Sequence, residues 1–170
     1  MNAEKDTDLF LSIIAAHKGM LYKIANAYCK DVDDRQDLIQ ETIAHLWQCF
    51  GKYDSRYKYS TWIYRIALNL AISFYRKESR RKEIANPISD GILYLPDSSY
   101  DNEADQKINM LKQFINELKE LDKALLLLYL DEKSHKEIAE IMEISQTNVS
   151  TRIGRIKDRL KQKFSQMPNK

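Results

Sequence analysis

Apolar residues recur at steps of three and four along most of this 170-residue chain, which is the spacing of amphipathic helices. Ser60 or Thr61 is the predicted N-cap of the third helix, and nothing in the sequence has the alternation typical of strands. The predicted helices cover 8–29, 34–50, 60–79, 106–121 and 122–130, followed by two more near the C-terminus. The pattern therefore predicts an all-α fold.

The helical pattern breaks once, between positions 84 and 105. This segment contains Pro87, Gly91 and Pro96, and 90–105 carries five acids without a single lysine or arginine. Such composition is typical of a flexible connection, although its short apolar patch at 92–95 is a candidate docking segment. We therefore predict two small helical domains, 1–82 and 106–170, joined by a flexible acidic linker at 83–105.

The formal net charge of +2 hides strong segregation of charge along the chain. Segment 76–82 has five basic residues and one acid, and 149–163 has six basic residues against one acid. Local basic faces of this kind set affinity for nucleic acids more than the total charge does. With two isolated cysteines and three scattered histidines, we expect no metal site, no cofactor and no catalytic residue, and we interpret Cys29 and Cys49 as small core residues. No stretch is apolar enough for membrane insertion or a signal peptide, so a cytoplasmic chain is expected.

Residues 52–82 combine nine lysines and arginines with seven aromatic residues and only two acids. Cations follow phosphates, and rings replace the stacking that a base loses when a duplex opens, at about 1–3 kcal/mol per base. Asn69 shares a helix face with Arg65 and Arg76, at steps of four and seven. Trp62 is interpreted first as a core residue because of its spacing from Ile66. The segment predicts a surface for separated strands.

A second DNA-binding signal lies near the C-terminus. Ser134 and Glu137 form a predicted capping box, and Ser145 is the predicted cap of the next helix. The turn between the two helices has Glu143 where glycine usually supplies a left-handed backbone, at a cost of about 1–2 kcal/mol. This is the layout of a helix-turn-helix, whose second helix reads the major groove. The candidate base-reading residues are Gln146, Thr147, Asn148, Ser150, Thr151 and Arg152, with Arg155, Lys157, Arg159, Lys161 and Lys163 facing phosphates.

With these motifs in place, the chain resembles the sigma-70 family, specifically its small two-domain extracytoplasmic-function (ECF) group. Residues 37–41 with Leu46 and Trp47 look like the segment that binds core polymerase. Residues 60–71 look like the segment that reads the melted −10 element, and 118–160 look like the domain that reads the −35 element. The resemblance implies a non-enzymatic factor that directs RNA polymerase core enzyme to promoter DNA and assists melting. Members of the group are often held by an anti-sigma factor, and we expect a monomer when the chain is free.

The resemblance also implies roles for individual residues. The core-polymerase surface is assigned to Asp37, Gln40 and Glu41, which face away from Leu38 and Ile39 within about one helical turn. Asn69 is assigned to an extruded −10 base, and its pocket to the loop residues Tyr57, Tyr59, Ser60 and Thr61. Arg65 lies beside it, and Arg76, Lys77, Arg80, Arg81 and Lys82 are assigned to phosphates. The −35 duplex is assigned to the side chains of 146–155.

Two other functions remain open at the level of sequence. A stand-alone helix-turn-helix transcriptional regulator would explain the C-terminus but would leave the aromatic, basic segment 52–82 without a purpose. An enzyme, either a recombinase or a nuclease holding a metal on Asp31, Asp33, Asp34 and Asp37, is disfavoured because acids at a helix start commonly serve as capping charge.

Overall fold

The computed structural model describes residues 3–85 and 103–166. Within these ranges the regular elements are seven α-helices and one short 3₁₀ helix, Phe50–Lys52, and no strand occurs, so the all-α prediction is confirmed. The helices are α1 (Ala3–Tyr28), α2 (Val32–Cys49), α3 (Tyr59–Ala85), α4 (Glu103–Glu117), α5 (Glu120–Leu130), α6 (His135–Met142) and α7 (Gln146–Ser165). The predicted flexibility at 86–102 and the docking of 92–95 lie outside the described residues.

Helices α1, α2 and α3 pack against one another as an N-terminal bundle. Asp31 caps α2, because its side chain accepts a hydrogen bond from the Asp33 N–H at 2.8 Å. The short 3₁₀ helix carries the chain from α2 into the loop 53–58, and Gly51 lies in it, where the sequence placed the end of the helix. Buried Leu21, Leu38 and Leu46 fill the core, each at most 2% exposed.

Helix α3 begins earlier and ends later than the sequence predicts. The Trp62 N–H donates to the Lys58 carbonyl, so Ser60 and Thr61 lie inside the first turn and neither is the N-cap. The last turns, up to Ala85, consist mostly of good helix formers, and the sequence has no glycine or proline there until Pro87. The first residues of the predicted linker, 83–85, are therefore helical, as are its last, 103–105.

Two lines of side chains on α3 are buried, not one. Ile63, Ala67 and Ala71 form the first line, each at most 2% exposed. A second line, offset by one residue and formed by Tyr64, Leu68 and Ile72, is at most 6% exposed. Helices α5 and α6 of the C-terminal bundle (α4–α7) pack against α3, and α5 also packs against α1. Helix α3 therefore packs against α1 and α2 of its own bundle and also against the C-terminal bundle.

The C-terminal bundle contains the predicted helix-turn-helix, with α5, α6 and α7 packed on one another. The capping box is present: the Glu137 N–H donates to Ser134 Oγ at 3.2 Å, and the Ser134 N–H donates to Glu137 Oε2 at 3.0 Å. Ser145 caps α7 by accepting from the Asn148 N–H at 3.1 Å. Val149 is fully buried beneath the crossing. Helix α5 starts two residues before the predicted Asp122.

The turn between α6 and α7 keeps the usual geometry despite its residue. Glu143 adopts the left-handed conformation, with φ 55° and ψ 41°, and the Ile144 N–H donates to the Ala139 carbonyl at 3.2 Å. The turn is therefore not remodelled; the glutamate accepts the strained backbone because α6 and α7 are both fixed by their caps and by buried residues.

We predict that Glu143→Gly stabilises the C-terminal bundle by about 1 kcal/mol, because glycine adopts the left-handed backbone without the Cβ clash. Thermal unfolding followed by circular dichroism measures the change. Glu143→Ala is the matched control, since it removes the carboxylate but keeps the Cβ. Equal stabilisation by both variants would trace the effect to charge and contradict the backbone explanation.

Candidate nucleic-acid interface

A connected set of aromatic rings fixes the loop that precedes α3. Tyr53 stacks on Tyr59, with ring centroids 4.4 Å apart, and meets the edge of Trp62 at 5.4 Å. Phe50 links Trp62 to Trp47, at 6.2 and 6.3 Å. Such offset and edge contacts each add about 0.5–1.5 kcal/mol beyond simple burial. The loop is thus held by its rings against the N-terminal bundle, and the half-buried Trp62 serves that packing.

The predicted −10 pocket is only partly assembled on the surface. Tyr57, Tyr59 and Ser60 are half-buried, while Thr61 is buried at 6% exposure and does not line the surface in this conformation. Tyr53, which the sequence analysis did not assign, holds the loop by stacking on Tyr59 and by donating its hydroxyl to the Tyr57 carbonyl. The signal that could have identified it was its place in the aromatic run of 52–82.

Arg65 and Arg76, on one side of α3, are already engaged by the C-terminal bundle. Arg65 donates from Nε and Nη2 to the Glu140 carbonyl, at 3.0 and 2.7 Å, and lies over the Tyr57 ring at 4.5 Å. Arg76 donates to Glu120 Oε1 at 2.8 Å. That hydrogen bond holds the pKa of the Glu120 carboxyl below its usual value.

The rest of the predicted −10 surface is open to solvent. Asn69 is exposed, and so are Lys77, Arg80 and Arg81, although Arg81 is within 3.7 Å of Glu78. A shallow groove of about 690 Å³ runs along this end of α3. It is lined by Ser73, Arg76, Lys77, Arg80, Arg81 and Ile84. Four cations along one groove suit a phosphate backbone, as the sequence analysis assigned them.

The start of α7 presents most of the predicted base-reading residues. Gln146, Thr147, Asn148, Ser150 and Thr151 are exposed, and Arg155 is exposed one turn later. Arg152 differs, because its guanidinium lies 3.4 Å from Asp122 and its side chain is only 33% exposed. Arg152, Arg155 and Arg159 line a small cavity of about 180 Å³ with Asp122 and Ile156. Arg152, which is paired with Asp122, therefore differs from the other candidate base-reading residues, which are exposed.

The predicted polymerase surface lies on α2. Asp37, Gln40 and Glu41 are all exposed. Gln40 also borders an apolar groove of about 390 Å³ between α1 and α2, which the sequence analysis did not identify. The groove is lined by Thr7, Phe10, Leu11, Gln40, Ile43, Ala44 and Trp47. Its signal in the sequence was a pair of exposed apolar residues, Leu11 and Trp47, on two neighbouring helices.

The cysteines and the acidic cluster add no second site. Cys29 is buried as predicted, whereas Cys49 is only half-buried. Burial raises the pKa of the Cys29 thiol to about 11, so its reactive thiolate is disfavoured. In the residues that the structure describes, no three His, Cys, Asp or Glu side chains come together as a metal ion would require. Nor is any described helix both long and apolar enough to span a bilayer.

Comparison with known proteins assigns both bundles to one family. Residues 13–81 match Sigma-70 region 2, and residues 108–160 match Sigma-70, region 4. The ECF RNA polymerase sigma factor SigW of Bacillus subtilis (strain 168) is 29% identical over 94% of this chain and 90% of its own length. The ECF RNA polymerase sigma factor SigM of the same organism is 27% identical over 88% of this chain and 91% of its own length.

Solved structures have the same fold at lower identity. CnrH, in complex with the cytosolic domain of CnrY, superposes with a TM-score of 0.68 at 19% identity, over 94% of this chain and 89% of that one. The sigma factor RpoE of Bartonella quintana, in complex with the anti-sigma factor NepR, gives 0.67 at 19% identity, over 95% and 98%. Two successive matches to Sigma-70 regions, which together span most of the chain, and ECF relatives that match over most of their own length establish that this chain belongs to the ECF group of the sigma-70 family of RNA polymerase sigma factors.

Proposed function

We propose that this chain brings core RNA polymerase to promoters through three separate surfaces of its own. The observation that carries the proposal is one chain with two different DNA surfaces: a cationic, aromatic face on α3 and an open polar helix start on α7. One suits separated strands and the other suits duplex. RNA synthesis belongs to the polymerase, so the chain acts without catalysis of its own, in the cytoplasm where core enzyme and promoters meet.

The first surface binds core polymerase through α1 and α2. The exposed carboxylates of Asp37 and Glu41 suit a basic partner, and the groove beside them offers apolar area through Leu11 and Trp47, 57% and 45% exposed. An apolar centre with a charged rim is how protein interfaces are usually built. An amphipathic helix from the polymerase fits this combination.

Replacing Leu11 by serine should weaken binding to core polymerase, because it removes apolar area from the groove. We expect an increase in Kd of about five- to thirtyfold, equivalent to the 1–2 kcal/mol of a partly buried leucine. Fluorescence anisotropy of labelled chain titrated with core enzyme measures it. Leu9→Ser is the matched control, because Leu9 is 46% exposed on the same helix but does not line the groove. An equal loss of affinity in both variants would show that the polymerase does not use the groove but another part of α1.

The second surface captures the opened −10 strand. Asn69 has both an amide donor and an amide acceptor, which suit the Watson–Crick edge of a flipped base. Tyr57 and Tyr59, in the loop before α3 and at the start of that helix, offer rings for stacking, and the groove of Arg76, Lys77, Arg80 and Arg81 follows the phosphates. Extruding a base costs a few kcal/mol, and this set of contacts supplies an offsetting interaction of similar size.

We expect Asn69→Ala to reduce open-complex formation by about 1–3 kcal/mol while core binding stays unchanged. Permanganate reactivity of thymines at the start site, with purified core enzyme, measures the opened strand. The promoter comes from run-off transcription on genomic fragments. Asn26→Ala is the control, as Asn26 is equally exposed on α1. If Asn69→Ala weakened binding to core polymerase, the proposed role of Asn69 in binding the opened strand would be wrong.

The third surface reads the −35 duplex with the start of α7. The N-terminal residues of a recognition helix are the ones that reach base edges, and here Gln146, Thr147, Ser150 and Thr151 are exposed. Arg155 lies one turn further along and suits a phosphate. Arg152 contacts DNA only if its ion pair with Asp122 breaks. In this structure that ion pair joins α7 to α5.

Gln146→Ala should cost about 1–3 kcal/mol in −35 binding and relax sequence preference there, without lowering the melting temperature. Gln162→Ala, an exposed glutamine at the far end of α7, is the control. Holoenzyme binding to promoter fragments with altered −35 sequences measures preference. Equal loss on every fragment would make Gln146 a phosphate contact.

Regulation by an anti-sigma factor is part of the proposal, since the structural neighbour RpoE is bound to the anti-sigma factor NepR. The competing function is a stand-alone regulator. Such a protein binds its operator tightly alone, whereas the proposed factor binds promoters well only with core enzyme. Gel-shift assays with and without core polymerase separate the two.

A further inference from the structure

The loop before α3, residues 53–58, is closed by hydrogen bonds between its two ends. The Tyr57 N–H donates to the Asp54 carbonyl at 3.1 Å, which forms a tight turn. The Tyr53 hydroxyl donates to the Tyr57 carbonyl. Because both ends of the turn are held, Arg56 at its tip is attached to a fixed backbone.

The side chain of Arg56 is fixed in turn by Asp54. Its Nε donates to both carboxylate oxygens, at 3.1 and 2.8 Å, and its Nη2 donates to Oδ2 at 2.6 Å. The backbone N–H of Arg56 donates to the same carboxylate at 3.0 Å. These hydrogen bonds hold the pKa of the Asp54 carboxyl below its usual value. Exposed ion pairs are usually weak, but a bidentate pair of this geometry restrains the orientation of an arginine.

The same pairing leaves one edge of the guanidinium open. Arginine has five N–H donors and no acceptor, and the Asp54 side chain engages the one on Nε and one of the two on Nη2. In the part of the chain that the structure describes, the two parallel N–H groups at the far end, on Nη1 and Nη2, contact no acceptor, and the side chain is 83% exposed. Arg56 therefore presents an oriented pair of donors to solvent.

This pair of donors lies close to the proposed strand-binding residues. Arg65 lies over the Tyr57 ring at 4.5 Å, and its charge also lowers the pKa of Asp54, so it is near the turn. Asn69 is one helical turn beyond Arg65 on α3. Arg65 is itself engaged by the C-terminal bundle. Of the two arginines, Arg56 is the one that keeps an open donor edge.

We propose that Arg56 is a specificity-determining residue of the −10 surface and that Asp54 is its positioning residue. The open donor pair binds a base that has two adjacent hydrogen-bond acceptors. Guanine has such a pair in O6 and N7, and cytosine has one in O2 and N3 once it is unpaired. The assignment rests on the proposed function, because that function supplies the opened −10 strand as the ligand.

The other two bases do not match the donor pair of Arg56. In adenine the N7 acceptor lies beside the N6 amino donor, and in thymine an N3–H donor lies between the two carbonyl oxygens. One donor of the arginine would therefore face a donor of the base. A good bidentate contact discriminates between bases by about tenfold or more, so the preference is measurable.

Binding of the complex with core polymerase to single-stranded oligonucleotides tests this assignment. The oligonucleotides carry the non-template −10 strand of a promoter identified by run-off transcription, with each position replaced by each of the other bases in turn. Fluorescence anisotropy measures the Kd. At one position we expect wild type to bind guanine or cytosine about tenfold more tightly than adenine and thymine. The absence of any such position would overturn the proposal.

Two variants show whether Arg56 and Asp54 cause that preference. Arg56→Lys keeps the charge but loses the paired donors, so the preference should fall to about twofold or less while adenine and thymine bind as before. Asp54→Asn keeps an oxygen for the Arg56 N–H but loses the charged partner of the side chain, so an intermediate preference is expected. A wild-type preference in Arg56→Lys would refute the proposal, and one in Asp54→Asn would refute the positioning role.

Lys52→Gln is the matched control for these variants. Lys52 is an exposed cation just before the same loop. Its loss should weaken binding to every oligonucleotide equally and leave the base preference intact, because a charge that attracts phosphates does not distinguish bases. If Lys52→Gln abolished the preference as Arg56→Lys does, the effect would belong to the charge of the loop and the assignment to the paired donors of Arg56 would be wrong.

Modified bases distinguish the two possible ligands and test the bidentate contact directly. 7-Deazaguanine lacks the N7 acceptor, and 3-deazacytosine lacks the N3 acceptor. The analogue of the preferred base should weaken wild-type binding about tenfold and leave Arg56→Lys unaffected. An analogue that wild type binds as tightly as the natural base would exclude the paired contact.

Run-off transcription separates this inference from the function on which it rests. If the chain directs transcription but Arg56→Lys has the base preference of wild type, the role of Arg56 is wrong and the proposed function stands. If the wild-type chain with core enzyme transcribes no genomic fragment, the proposed function is wrong and the role of Arg56 is lost with it.

Discussion

Helix α3 is the element on which the rest of this structure depends, because it is buried on two sides at once. One line of side chains, through Ile63 and Ala67, completes the N-terminal bundle, and a second, through Tyr64 and Leu68, faces the C-terminal bundle. Burying a leucine or isoleucine contributes about 1.5–3 kcal/mol, so leaving Leu68 and Ile72 in water is costly. The same helix carries the candidate strand-binding residues. Residues that pack against other helices and residues that are proposed to bind DNA therefore occupy neighbouring positions on α3.

The contact between the two bundles is partly polar. An arginine cannot donate fully to a carboxylate and to a phosphate at once, and Arg76 is paired with Glu120 in this structure. Ion pairs at a half-exposed surface are weak individually, but here they surround the buried Lys123 and a buried apolar line. The contact between the bundles therefore combines buried apolar side chains with ion pairs and hydrogen bonds.

The separation of surfaces also accounts for why one small chain can serve several partners. The groove between α1 and α2 uses the first half of α1, whereas the α1 residues that contact the C-terminal bundle, Lys23, Ala27 and Tyr28, lie near its end, and the start of α7 is exposed. A partner on α1 and α2 therefore need not displace the C-terminal bundle to make its first contact. The ring of Phe10 meets the rings of Trp47 and Phe50 edge-on, so the apolar part of that surface is formed in advance.

The sequence alone determined the helices, the caps of α6 and α7, and the family, because these follow from local spacing and from motifs that are continuous in the chain. It placed the start of α3 wrongly, since Lys58 rather than Ser60 or Thr61 accepts the first backbone bond. The apolar Leu68 and Ile72 are visible in the sequence of α3, but nothing in that sequence shows which helices cover them. Only the tertiary structure decided what covers them, that Thr61 is buried, and that Arg65, Arg76 and Arg152 are engaged. Those outcomes depend on contacts between residues dozens of positions apart, and periodicity along one helix contains no information about which distant helix packs on it.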